Sequence, residues 1–388
     1  MTFAAILSAS RMADDSPGVL RGSLHFAGQT LMEYQARQAA RAGADRILIL
    51  VSSITPAISQ AIDRLSADGV RVALVRDMVS VVRDAPRDMD TLLVADGAAV
   101  SQTYFDALAQ QEGNALLVTD ESRASGPFER IDAGQRWAGL ARIAPDLLFG
   151  TLDMIGDWDL SLTLVRAATQ KGARRLTVPQ DELLEGRVAL VETQQQADLA
   201  AQAILSGSNR PARGAGGLDH LLLGPLARLA SPALMRMQVP AMQVRIAAIA
   251  LAAIALVPIE LLWPTTGFCL LLLALWLAEV ANRLDELALR PAPAGRIAFL
   301  APGLALIGVV LASGTMTAMH LALLTGIILV ADRERRTGAV ASWMVFTPSS
   351  LILLLMLAAV FDGLSWGYAL GMLCAIASIG AILLRRHE

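Results

Sequence analysis

The stretch LAEVANRLDELALR, from Leu277 to Arg290, sets Glu279, Asp285 and Glu286 beside Arg283 and Arg290 where a long apolar run first meets charge. Carboxylates gathered at such a boundary are the groups that hold divalent cations. On a helix, Glu279 and Glu286 are seven apart and share a face, while Asp285 points elsewhere. The next apolar run, RIAFLAPGLALIG, adds no carboxylate. Two divalent ions held by one or two carboxylates beside lipid are electrostatically untenable. The spacing therefore reads as a solvated turn in which these acids meet Arg283 and Arg290, with Asp285 and Glu286 as the metal candidates it offers. A second group lies far upstream. Ser8 and Ser10 follow the apolar run that ends at Leu7, and Asp96 closes TLLVAD. Residues just beyond the carboxyl ends of buried strands are where open α/β sheets bind ligands.

Those positions need a sheet, and the pattern supplies one. AAIL, RILILV, RVALV, TLLVAD, ALLVT and RVALVET read as buried strands. Between them, TLMEYQARQAARAG and ITPAISQAIDRLSADG have helical periodicity ending in glycine. The alternation predicts an α/β domain over residues 1–205 with a mostly parallel sheet. SGSNRPARGAGG is a linker, and GLDHLLLGPLARLASPALMRM reads as an interfacial or packed helix broken near Pro225 and Pro232. Together these make a 206–240 connection. From 241 to 388 the chain is an all-α membrane domain of six spans, with limits near 245–263, 266–281, 297–313, 316–331, 341–361 and 364–384.

Composition agrees with two environments. The chain of 388 residues is 55% hydrophobic and 17% charged, with the charge concentrated before Pro240. Arg245, Arg283, Arg290, Arg296, Arg333, Arg335, Arg336, Arg385 and Arg386 flank one set of span ends, and the opposite loops have neither Lys nor Arg. By the positive-inside rule this is a multi-pass protein of the inner (cytoplasmic) membrane with both termini and the N-terminal domain cytoplasmic. MTFAAILSAS lacks a basic region and is too short in its apolar run for a signal sequence, which agrees. A net charge of −3 gives no reason to expect nucleic acid. Cys269 and Cys374 fall in apolar runs and read as small buried hydrophobes, and the four histidines make no metal-ligand spacing. His320, with Thr315, Thr317 and Thr325, is the ionisable group of the fourth span; it reads as bonded to a neighbouring helix or, in a transport protein, as lining a cavity.

Taken in order, AAILSASRM, LRGSLHFAGQTLMEYQARQAARAGADRILILV and LLVADG resemble the sugar-nucleotide and phospho-alcohol nucleotidyltransferases. The resemblance implies a GT-A/Rossmann-like fold and a nucleotide substrate such as CTP. It places Ser8, Ser10, Arg11 and Arg21 at the nucleotide phosphates, and Asp96 with Glu192 as catalytic ligands of Mg²⁺. Gly28 to Tyr34 match the family's helix start. The family's glycine-rich loop is shortened to SASRM, with serines in place of glycines. Fusion to six spans resembles the bifunctional proteins whose membrane half is a CDP-alcohol phosphotransferase, and MQVPAMQV resembles that family's approach to its first span. Setting Glu286-Leu287-Ala288 against the family signature puts Ala281, Leu284, Phe299 and Gly303 where aspartates are required. Two readings follow. One is a membrane protein of phospholipid headgroup synthesis without normal phosphotransfer, a pseudoenzyme that partners an active paralogue or binds a nucleotide or phospho-alcohol. The other is an active NTP-dependent nucleotidyltransferase anchored to the bilayer. The resemblance also implies a homodimer.

Overall fold

The computed structural model describes residues 2–152, 159–207, 223–237, 239–290, 297–334 and 345–384. The chain divides into two compact units, residues 1–209 with 288–290 and residues 210–287 with 291–388.

The first unit is built on an eight-stranded sheet. Its order is Arg174–Thr177, Ala115–Asp120, Gln135–Ile143, Thr91–Val94, Phe3–Ala9, Ala44–Val51 and Val72–Val75, with Glu129–Arg130 pairing off the path. Every residue of the central strand FAAILSA is buried. A strand covered on both faces has no solvent side, so its sequence is continuously apolar instead of alternating. Phe3–Ala9 pairs in parallel with Ala44–Val51 on one side and Thr91–Val94 on the other.

The sheet is mixed: four of the six pairings along its path are parallel, in keeping with the mostly parallel sheet expected, and one strand runs antiparallel. Gln135–Ile143 inserts antiparallel between Thr91–Val94 and Ala115–Asp120. Its sequence QRWAGLARI hides a buried strand because two arginines interrupt it. Arg142 is buried all the same: Nε donates to Asp90 at 2.8 Å, and Nη1 donates to the carbonyls of Leu108 and Ala109. The register shifts between Trp137 and Ala141, where Gly139 takes a φ of +87°. A side chain is disfavoured in that left-handed conformation. RVALVET also departs from expectation. Its strand is Val188–Leu190, which pairs with Ala98–Val100 in a separate ribbon and not with the main sheet.

The two helices read from periodicity form at Leu31–Ala42 and Pro56–Ala67. Thr30 and Glu33 make a reciprocal capping box on the first. This satisfies backbone donors that the first turn leaves orphaned. Glu33 is fully buried and also accepts from Arg64 at 2.8 Å.

In the second unit all six apolar runs contain helix, but not six spans. Among the described residues three helices are long and apolar enough to cross a membrane: Ala241–Glu260, Pro264–Leu287 and Leu364–Ala381. Ile297–Leu311, Met316–Ala331 and Pro348–Val360 are shorter apolar helices. The run expected from 341 begins its helix only at Pro348, capped by Thr347, because proline is favoured in a first turn where no N–H is needed. Residues 341–344 lie outside the described residues, as do Gly295, Arg296, Arg335, Arg336, Arg385 and Arg386 and the linker from 208 to 216. Gly224–Arg236 is one helix that continues through Pro232, with Pro225 in its first turn and residues 217–222 outside the described residues. Ala252, Phe268, Leu271, Ala305, Val309, Leu351 and Leu355 form this unit's core. Leu229, Leu262, Trp263, Leu323, Phe361 and Trp366 lie on its outside, exposed. Cys269 is exposed and Cys374 half-buried, so neither is the fully buried hydrophobe expected.

Candidate functional site

From Phe3–Ala9 the chain leads to the neighbouring strand Ala44–Val51, whereas Thr91–Val94 lies on the opposite side of the central strand. The loops leaving Phe3–Ala9 and Thr91–Val94 therefore diverge, and a crevice opens at their carboxyl ends. Asp96 fills it. Its Oδ2 accepts the backbone N–H groups of Ser10 at 2.7 Å and Arg11 at 2.6 Å. Hydrogen bonds from amides to a carboxylate are charge-assisted and short. Oδ1 is buried and has no hydrogen-bond partner among the described residues. Burial pushes the Asp96 carboxyl up to about 6, against the pull of the Arg11 and Ser10 amides and the charges of Arg21 and Arg11. The backbone turns sharply next, at Gly97 with φ +77°. A Cβ there would stand 2.4 Å from the Val191 carbonyl oxygen. Only glycine lets Val191 donate its N–H to the Gly97 carbonyl at 2.7 Å and bring the Glu192 segment alongside.

Arg21 is the second centre. Its side chain is 9% exposed. Nε donates to the Met12 carbonyl at 3.1 Å, and Nη2 donates to Asp14 Oδ1 at 3.0 Å. Nη1 lies 3.0 Å from Glu192 Oε1, close enough for an ion pair but outside hydrogen-bond geometry. The segment between Arg11 and Arg21 closes on itself through Ala13 N–H to the Val19 carbonyl and Arg21 N–H to the Arg11 carbonyl. It is pinned to the opposite loop by Asp14 N–H to the Glu192 carbonyl and by Gln194 N–H to Asp15 Oδ2.

The fold thus gathers Ser10, Arg11, Arg21, Asp96 and Glu192 at one end of the strands. Ser8 is turned inward, its hydroxyl 3.0 Å from that of Ser161. Arg11 reaches Asp159 at 3.2 Å. Asp14, Asp15, Asp159 and Ser161 escaped the sequence reading. The turn-forming Ser16-Pro17-Gly18 was the available signal, since it folds the segment back and aims Asp14 at Arg21.

Among the described residues, no three His, Cys, Asp or Glu side chains converge as a metal site. The orphaned Asp96 Oδ1 is an acceptor suited to Mg²⁺, whereas Glu192 faces Arg21. In the second unit the acids of the opening stretch are not in a solvated turn. The helix continues to Leu287, and Asp285 is buried with its Oδ2 2.9 Å from Arg245 Nη2. The same nitrogen donates to Asn282 Oδ1 at 3.0 Å. Glu286 accepts from Arg283 at 2.9 Å. A charge taken out of water needs a partner, and Arg245 on the adjacent helix provides it where sequence inspection saw only a turn. His320 is exposed on the outside of Met316–Glu334 and Thr325 is buried, bonding back to the Leu321 carbonyl. Among the described residues the exposed histidine has no hydrogen bond to a neighbouring helix.

No family model matches the chain, and no curated protein matches it. Solved structures do. A UDP-glucose pyrophosphorylase complexed with UDP-glucose matches with 9% identity and a TM-score of 0.38, over 53% of this chain and 100% of its own. The inositol-1-phosphate CTP transferase from T. maritima matches with 13% identity and a TM-score of 0.39, over 52% of this chain and 96% of its own. At these TM-scores the likenesses carry no argument about this chain and assign no residue role.

Proposed function

We propose that this protein is a membrane-bound, nucleotidyltransferase-like protein of phospholipid headgroup metabolism that does not carry out CDP-alcohol phosphotransfer. It binds a nucleotide or phospho-alcohol through its α/β domain, or partners an active paralogue. The observation that carries the reading is the pairing of Asp285 with Arg245, and beside it Glu286 with Arg283. Phosphotransfer through paired divalent ions needs several carboxylates free to face the metals. Here each of these two is neutralised by a guanidinium. Membrane placement rests on the inverted surface of the second unit, whose outer faces carry large exposed apolar side chains, and on the three helices among the described residues that are long enough to span. With arginine on one set of ends, the α/β domain lies in the cytoplasm.

The test is the purified full chain supplied with CDP-alcohol and lipid acceptor in Mg²⁺ or Mn²⁺. No lipid product is expected. Robust product that disappears in Asp285→Asn would overturn the reading.

One observation favours activity at the other site. Asp96 Oδ1 is a buried acceptor without a partner among the described residues, which a Mg²⁺ ion would satisfy. Such an ion, when bound, would neutralise the charge of a triphosphate. Asp96 would hold it, the Ser10 and Arg11 amides would keep Asp96 oriented, and Arg21 would orient a phosphate. Under this reading the phosphate of a phospho-alcohol attacks the α-phosphorus of an NTP, forming a nucleoside-diphospho-alcohol as pyrophosphate leaves, and Asp96→Ala abolishes the release.

A further inference from the structure

The donors that would meet a phosphate are already engaged by carboxylates of the chain itself. Asp96 takes the Ser10 and Arg11 amides, and Asp14 takes Arg21. These two acids differ in how firmly they are held. Asp96 is buried, whereas the Asp14 side chain is 57% exposed on a short turn. Met12 and Glu192 also hold Arg21, from other directions than Asp14. Arg21 Nη1, also buried, lies 3.0 Å from Glu192 Oε1 and makes no hydrogen bond among the described residues.

We infer that Asp14 is an autoinhibitory latch: an internal anion that occupies Arg21 and must swing away before a phosphoryl group can bind there. This rests on the proposed binding of a phosphorylated ligand by the α/β domain. Physically the latch is weak. Asp14 lies largely in solvent, which screens its side of the pair, so a competing, doubly charged phosphate can displace it at Arg21 Nη2. Release need not disturb the sheet. It frees the Asp14 carboxylate while Asp15 keeps the turn tied to the Gln194 amide. Asp14 has no other side-chain bond to hold it back among those the structure shows.

The experiment uses the full chain in detergent micelles and measures calorimetric affinity for CTP and, separately, for inorganic pyrophosphate. Asp14→Asn keeps the shape and removes the charge. Its affinity for both probes is expected to exceed that of the unaltered protein by about two- to five-fold, the equivalent of a surface ion pair. Asp15→Asn is the control, because Asp15 carries the same charge one residue away but does not touch Arg21. It is expected to change affinity less than Asp14→Asn. Equal tightening by both would reduce the effect to bulk charge and overturn the latch. So would equal affinity of Asp14→Asn and the unaltered protein, leaving the binding site itself intact. No binding of either probe by any variant would remove the site and the latch together. Tightening for CTP and not for pyrophosphate would identify a nucleotide as the ligand and still support the latch.

Discussion

Asp96 carries opposed demands in a single side chain. One oxygen is bound by two amides, and the other is buried without a partner. Its carboxyl titrates near 6, above the ordinary 3.8. The folded protein therefore holds this proton more tightly than the unfolded chain does. The resulting stabilisation is complete below the ordinary value and is lost as pH rises through about 6. At neutral pH the ionised group costs the fold up to roughly 3 kcal/mol, at about 1.4 kcal/mol per unit. Asp96→Asn should accordingly raise the unfolding temperature at pH 7, with the gain fading toward pH 4. A gain of the same size at both pH values would mean that the carboxyl is not strained by burial. Millimolar Mg²⁺ should narrow the difference at pH 7 if the free oxygen takes a cation. Asp96 was legible from the sequence because it ends an apolar run. Its partners Ser10 and Arg11 were legible only as neighbours of another run, 85 or more residues away.

At the scale of elements, the decisive contact is between Ala241–Ile254 and Pro264–Leu287, where Arg245 meets Asp285. Removing one member of a buried pair strands the other charge and costs about 3–5 kcal/mol, whereas replacing both with apolar residues is often neutral. Asp285→Ala should lower the thermal stability of the detergent-solubilised protein sharply. Arg245→Met combined with Asp285→Leu should recover most of it. If the single variant is as stable as the unaltered chain, the pair is not what closes these helices together. Helices and buried parallel strands were readable from periodicity and apolar runs, because burial on a face imposes those patterns directly. Gln135–Ile143 was not, since its arginines are paid for by distant acceptors that no local pattern announces.

For the whole molecule, the two units place opposite demands on the same chemistry. The α/β unit encloses its apolar side chains, whereas the helical unit displays them. This inversion predicts topology. A cysteine at Ser313, in an arginine-free loop, should react with a membrane-impermeant maleimide on intact cells. A cysteine at Ser122 in the α/β unit should react only after the membrane is opened. Labelling of Ser122→Cys in intact cells would reverse the orientation.

The sequence alone determined the two-part composition, the apolar helices, the central strands and the carboxylate at Asp96. Each of these follows from local pattern, since a residue's burial shows in its neighbours along the chain. Only tertiary structure decided what the charged groups do. Asp285 looked solvated until Arg245 stood beside it, and Arg21 looked open to phosphate until the loop brought Asp14 around to it. The reason is physical: a charge is governed by whatever lies within a few ångströms, and in a folded chain that neighbour is set by topology instead of spacing along the sequence.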